Sequence, residues 1–175
     1  YGISVKGIDL AARKGVGLII ALDCGIKATE KVVYAKTKGV DFIICDHHVP
    51  DDVLPPAVAI LNAKREDNTY PYEHLSGCGV GFKFMQAFAL NNGIEFHHLI
   101  PLLDLCAVSI ASDIVPIMGE NRILAYHGLK QLNSNPSVGL KAIIDVCGLT
   151  DKDITVSDIV FKIGPRINAS GRIQN

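Results

Sequence analysis

The chain has 175 residues, of which 49% are hydrophobic and 20% charged, with a positive mean hydropathy. That is enough apolar material to bury a substantial core, and it excludes long disorder. Lys plus Arg is 17 against 18 Asp plus Glu, for a net charge of -1. Composition therefore argues mildly against a protein that coats nucleic acid.

Strand-like and helix-like signals alternate over the first sixty residues. The segment holding Asp9 is helix-like. Leu18–Leu22 is a continuous apolar run closed by Asp23, Ala28–Lys38 is rich in helix formers, and Gly39 is a stop. Val40–Cys45 is a second run, closed by Asp46, and Ala57–Leu61 a third, closed by Asn62. Buried runs without polar alternation, separated by a helix, suit a parallel sheet covered on both faces. The fold class expected is α/β, a parallel sheet with flanking helices followed by a mostly helical portion. The division falls at residues 1–62 and 63–175.

Beyond the polar, turn-like Lys64–Glu73, the pattern predicts helices over Val80–Asn91, Phe96–Ile110, Arg122–Leu132 and Val138–Val146. A last helix opens at Thr155, where Thr155 and Asp158 form a capping-box pattern. The greasiest stretch, Leu99–Met118, is interrupted by Pro101, Asp104, Asp113 and Pro116, and reads as a buried helix rather than a membrane span. The N-terminus has no signal-peptide pattern. The five cysteines (Cys24, Cys45, Cys78, Cys106, Cys147) form no C-x-x-C pair, which points to a reducing cytoplasm and away from zinc ribbons or a disulfide framework.

Ligands of an open parallel sheet bind beyond the carboxyl ends of its strands. Neighbouring strands would bring Asp23, Asp46, His47 and His48 to one edge, and carboxylate plus imidazole suits Mn²⁺, Mg²⁺ or another divalent first-row ion. Either aspartate alone is more readily a helix cap; the two histidines reverse that preference. Asp113 closes an apolar helix before Pro116, where a charge is costly unless paired or metal-bound. Asp104, nine residues earlier, faces the opposite side and reads as a structural acid. His97 and His98, without an evident acid, read as surface or packing residues, and His74 and His127 have no nameable partner. Ser76–Gly81 precedes a helix but lacks a nucleotide-loop pattern; anion binding and close packing are equally good readings. Gly164–Arg172 carries Arg166, Asn168 and Arg172 among glycines, which suits phosphate contact, although a solvated turn is the better reading of that segment alone.

Taken together, these residues resemble the DHH phosphoesterase family, and within it the single-strand-specific 5′→3′ DNA exonucleases. The likeness rests on Asp46-His47-His48, Ala21–Gly25, Ser76–Lys83, Ala111–Pro116, Gly119–Arg122 and Pro165–Arg172, in the family's order along nearly the whole chain. It implies two-metal hydrolysis of single-stranded DNA in repair and recombination. Asp23 would be shared between the metals, and His47 and Asp113 would complete the protein ligands of one. Asp46 and His48 would lie beside the site, with His48 near the scissile phosphate, and Arg166, Asn168 and Arg172 would face substrate phosphates. Single-strand-binding protein and a helicase are the partners it implies. The family's earlier acidic motif has no counterpart before Asp23, and its second domain none after Arg172. The expectation is thus an internal piece of such an enzyme, with at most one well-formed metal site and little hydrolysis of its own. The other readings are a DHH phosphoesterase for short oligonucleotides or cyclic dinucleotides, and a non-catalytic scaffold of the same fold.

Overall fold

A computed structural model describes residues 2–170. It divides into two compact units, one up to Glu73 and one from His74 onward. Residues 63–73, the polar segment after the third apolar run, go with the first unit.

The first unit opens with α1 (Val5–Arg13), whose N-cap Ser4 accepts from the Gly7 amide at 3.1 Å. β1 (Leu18–Leu22), α2 (Thr29–Thr37), β2 (Asp41–Cys45) and β3 (Ala59–Leu61) follow. The strands form one parallel sheet in the order β1-β2-β3, with Leu18 opposite Asp41 and Leu22 opposite Cys45. All three apolar runs are therefore strands, as their lack of polar alternation predicts. Ile8, Ala21, Val32, Ala35, Val40, Phe42 and Ile44 form the core between sheet and helices. β1 has a paired neighbour on one side only among the described residues, and Leu18, Ile20 and Leu22 are exposed along it.

The second unit is helical. α3 (Gly77–Asn91) begins three residues before the expected start. Its glycines Gly77, Gly79 and Gly81 are buried rather than looped out, and Ser76 caps it by accepting from the Gly79 amide at 3.1 Å. The expected helix over Phe96–Ile110 is broken. Two 3₁₀ turns, Phe96–His98 and Ile100–Leu102, precede α4 (Leu103–Ser112). Pro101, lacking an amide hydrogen, is held in the first turn of its segment. α5 (Gly119–Ser134) packs on α4 so closely that a Cβ at Gly128 would lie 2.2 Å from the Leu103 carbonyl oxygen. α6 occupies Val138–Val146 as predicted. The Thr155–Asp158 capping box is present, and opens a one-turn α7 (Val156–Asp158). α7 runs through a π-helical stretch, Ile159–Ile163, into α8 (Gly164–Ser170). The turn expected around Arg166 is thus a helix. Val108, Ala111, Leu132, Leu140, Ile144, Leu149, Ile159 and Ile163 are among the residues of this unit's core.

No helix among the described residues is long and apolar enough to cross a membrane. All five cysteines are unbridged.

Candidate metal centre

The two aspartates after β1 and β2 each extend the strand ladder by one bond. The Asp23 amide donates to the Cys45 carbonyl at 2.9 Å, and the Asp46 amide to the Leu61 carbonyl at 3.0 Å. Parallel pairing therefore sets both acids at the carboxyl edge of the sheet. Asp23 turns there with φ of 62°, a left-handed conformation that costs most residues about 1 kcal/mol and that aspartate tolerates better. Gly25 follows at φ of 113°, where a Cβ would come within 3.0 Å of Ile3 and 3.4 Å of Ile44. The sharp exit from β1 thus depends on a residue without a side chain.

This turn brings the Asp23 carboxylate to 3.2 Å from Nε2 of His47. One ligand atom each from Asp23, His47 and His48 lies within 4.8 Å of the others, the only such cluster of three or more potential donors found among the described residues. The two imidazoles meet edge to face, 4.6 Å between centroids. Asp23 does not cap α2, whose N-cap is Ala28 with no side-chain bond, so the helix-cap reading fails for it.

Asp46 has a different task. Its side chain is 1% exposed. One carboxylate oxygen accepts from the amides of His47 and His48, at 2.8 and 3.2 Å, and lies 2.7 Å from Nδ1 of His48. The other accepts from the Ile26 amide at 2.9 Å. Burial pushes its pKa up, but the Ile26 amide, the His48 ring and the two following amides outweigh it, leaving the carboxyl below its usual range. An ionised Asp46 therefore holds Nδ1–H of His48 and leaves Nε2 as the ring nitrogen open to outside chemistry. The same environment affects the flanking thiols. Burial, then the Asp46 charge, pushes Cys45 up to about 11. Burial, then Asp46 and Asp23, also raises Cys24.

In the sequence Asn62 is only the polar residue that closes the third apolar run. It is buried at the end of β3, donates to the His48 carbonyl at 2.8 Å and accepts from the Lys64 amide at 2.8 Å. Its signal lay in its place: a polar residue closing a strand run, as Asp23 and Asp46 close theirs.

In the second unit, Asp113 is the C-cap of α4 and is exposed, so the cost of a buried charge does not apply to it. Ser109 donates to its carboxylate at 3.2 Å. The following Ile114 has φ of 53°, rare for a β-branched residue. Asp104 is fully buried and accepts from the amides of Ser137 at 2.7 Å and Leu105 at 2.6 Å, as a structural acid should. His97 does have an acidic neighbour, Glu95, at 3.0 Å, and His98 is exposed as expected. The glycine-rich start of α3 is a packing device. Its Gly79 amide is taken by Ser76, and its Cys78 amide donates to Ser109 at 3.4 Å. Arg166 and Asn168 are exposed on α8, where a separation of two residues turns them to different faces. Arg172 lies outside the described residues.

A parallel sheet whose carboxyl edge gathers a carboxylate and two imidazoles is an α/β domain with the donor set of a divalent metal site. The chain belongs to the DHH family: residues 6–110 match its N-terminal domain. Its similarity is to RecJ proteins in particular. It is 37% identical, over 185 aligned residues, to the single-stranded-DNA-specific exonuclease RecJ of Salmonella typhimurium, covering 100% of this chain and 32% of that one. The structure is similar to a crystal structure of exonuclease RecJ bound to manganese, with a TM-score of 0.81 at 29% identity, covering 99% of this chain and 43% of that one. It is also similar to RecJ in complex with Mn²⁺ from Thermus thermophilus, with a TM-score of 0.79 at 27% identity, covering 98% of this chain and 25% of that one. The chain spans about a third of the length of the first of these relatives.

Proposed function

We propose that this chain is part of a metal-dependent exonuclease that hydrolyses phosphodiester bonds of single-stranded DNA from the 5′ end. The observation that carries the reading is the convergence of Asp23, His47 and His48 at the sheet edge, ordered from beneath by the buried Asp46. Two imidazoles and a carboxylate fit Mn²⁺, the ion bound in the RecJ structures this chain resembles, and accommodate Mg²⁺ less readily because it favours oxygen donors. A bound divalent cation supplies Lewis acidity, making water easier to deprotonate and offsetting charge on the phosphoryl group.

The protein side of the chemistry is shared among named residues. Asp23 and His47 hold the cation, and the family pattern adds the Asp113 carboxylate. Asp46 fixes the tautomer of His48, so that Nε2 faces the reacting phosphate or adds a donor nitrogen. Asn62 keeps the His48 backbone from rotating away from that pose. Arg166, Asn168 and Arg172 are assigned to substrate phosphates on the family pattern. Association with a single-strand-binding protein or a helicase, and a cytoplasmic location, belong to the same proposal.

Calorimetric titration with Mn²⁺ tests the site. Wild type should bind, and His47→Ala should weaken binding at least tenfold; equal affinity would overturn the metal reading and favour a scaffold. In the full-length protein, Mn²⁺ should release nucleotides from end-labelled single strands, and a chelator should stop it. A preference for dinucleotides over long strands would overturn the exonuclease assignment. The 175-residue chain alone is expected to show little cleavage, and robust cleavage would refute that expectation.

A further inference from the structure

The Ser76–Lys83 and Gly119–Arg122 segments, both prominent in the sequence, contribute no side chain to the chemistry just described. Asn121 belongs to the second and is fully buried, the one amide among the largest fully buried side chains. Burying an amide is costly unless its hydrogen bonds are met. Its Nδ2 donates to the His74 carbonyl at 2.6 Å and to the Pro116 carbonyl at 3.0 Å. Its Oδ1 is buried with no hydrogen-bond partner among the described residues. The side chain is placed for its donors, and those donors tie two separate stretches of backbone to the first turn of α5.

Both stretches lead to Asp113. Pro116 ends the turn that Asp113 begins, and within that turn Ile114 is held at a left-handed φ of 53°. A conformation rare for a β-branched residue persists only where its surroundings over-determine it. The bond to the Pro116 carbonyl is one such restraint. His74 leads into α3, whose Cys78 amide donates to Ser109 at 3.4 Å, and Ser109 donates to the Asp113 carboxylate at 3.2 Å. A second tie between the two segments is the Lys83–Glu120 ion pair at 3.1 Å. Asn121 thus restrains the turn that follows Asp113, and Ser109 bonds the Asp113 carboxylate.

We propose that Asn121 is a positioning residue for Asp113, its side-chain amide holding the Asp113–Pro116 turn in the pose from which the carboxylate acts. This rests on the reading of Asp113 as a metal ligand given above. Residues that orient ligands typically change metal affinity by about 10–100-fold when removed.

The test measures Mn²⁺ affinity of the full-length protein by electron paramagnetic resonance of the free ion, alongside thermal unfolding. The variants are Asn121→Ala, Asn121→Ser, Asp113→Asn and Leu124→Ala. Leu124 is buried on the same helix and lines a cavity with Phe82, Phe96 and Leu103, so its truncation costs stability through packing. The expected result is weaker Mn²⁺ binding, by about tenfold or more, in both Asn121 variants and in Asp113→Asn. Leu124→Ala should melt earlier with unchanged affinity. Should Asp113→Asn lose affinity while both Asn121 variants keep it, the positioning role is refuted and the ligand reading stands. Equal losses in Leu124→Ala and the Asn121 variants would reduce Asn121 to a structural role. An Asp113→Asn variant with wild-type affinity, or a parent protein that binds no Mn²⁺, would overturn the ligand reading and this inference with it.

Discussion

Replacing Asp46 by asparagine changes one atom and no volume, yet it should be among the most damaging substitutions in the first unit. The buried carboxylate accepts three backbone amides and lies 2.7 Å from the His48 ring nitrogen. An asparagine amide must turn its NH₂ toward either the Ile26 amide or the cluster of three donors from His47 and His48. The cheaper orientation faces Ile26. It loses a hydrogen bond to a charged group, about 1.5–3 kcal/mol, and leaves a buried amide unpaired at about 1–3 kcal/mol. These terms overlap, and together they set an expected loss of about 3–5 kcal/mol at neutral pH. The pH dependence follows from the lowered pKa. A carboxyl held below its usual value of 3.8 in the fold contributes stability that is fully present above that value and lost as pH falls through the folded one. The gap between wild type and Asp46→Asn should therefore be widest at neutral pH and narrow in acid below pH 3.8. Urea unfolding of both proteins from pH 7 down to about pH 3 measures it. A gap under about 1 kcal/mol at pH 7, or one that does not shrink in acid, would refute the reasoning.

Three further outcomes follow from individual contacts. Gly128→Ala should cost about 3 kcal/mol in urea unfolding, because the new Cβ meets the Leu103 carbonyl of the facing helix at 2.2 Å. Asp104→Ala should cost about 2–4 kcal/mol, since it removes a buried carboxylate and strands the half-buried Ser137 amide it accepts from, while leaving Mn²⁺ affinity unchanged in the same titration used for His47. Cys45, with its pKa pushed up to about 11, should resist iodoacetamide in the folded protein at pH 8 and react once urea unfolds it, as mass spectrometry of the peptide would show.

What could be read from sequence was what local pattern encodes. Apolar runs gave all three strands, and because consecutive strands pair in a parallel sheet, Asp23 and the Asp46–His48 group could be set at one edge. α6 and the Thr155 capping box also follow from local signals. The readings that went astray depended on packing. The sequence of Ser76–Gly81 leaves anion binding and close packing equally open, because glycine serves both and is flexible in isolation; in the fold Gly77, Gly79 and Gly81 are buried in the first turns of α3, which favours packing. Gly164–Arg172 looked like a turn for the same reason, whereas Gly164 lies where a Cβ would meet Ser112 at 2.7 Å, which only a glycine in a packed helix permits. Asn62 closes a strand run and Asn121 lies in the Gly119–Arg122 motif, but what each side chain bonds was not legible, because their partners lie 14 and 47 residues away in sequence.

The π-helical stretch Ile159–Ile163 amounts to one extra residue wound into an otherwise α-helical rod. Each α-helical residue advances the chain by about 100° around its axis. The inserted residue therefore sets the phase of everything after it, including the exposed Arg166 and Asn168. Taking out one residue there would leave composition and charge nearly untouched, yet swing both side chains through more than a quarter turn. Their facing is thus encoded by a count of residues upstream as much as by the identity of the side chains themselves.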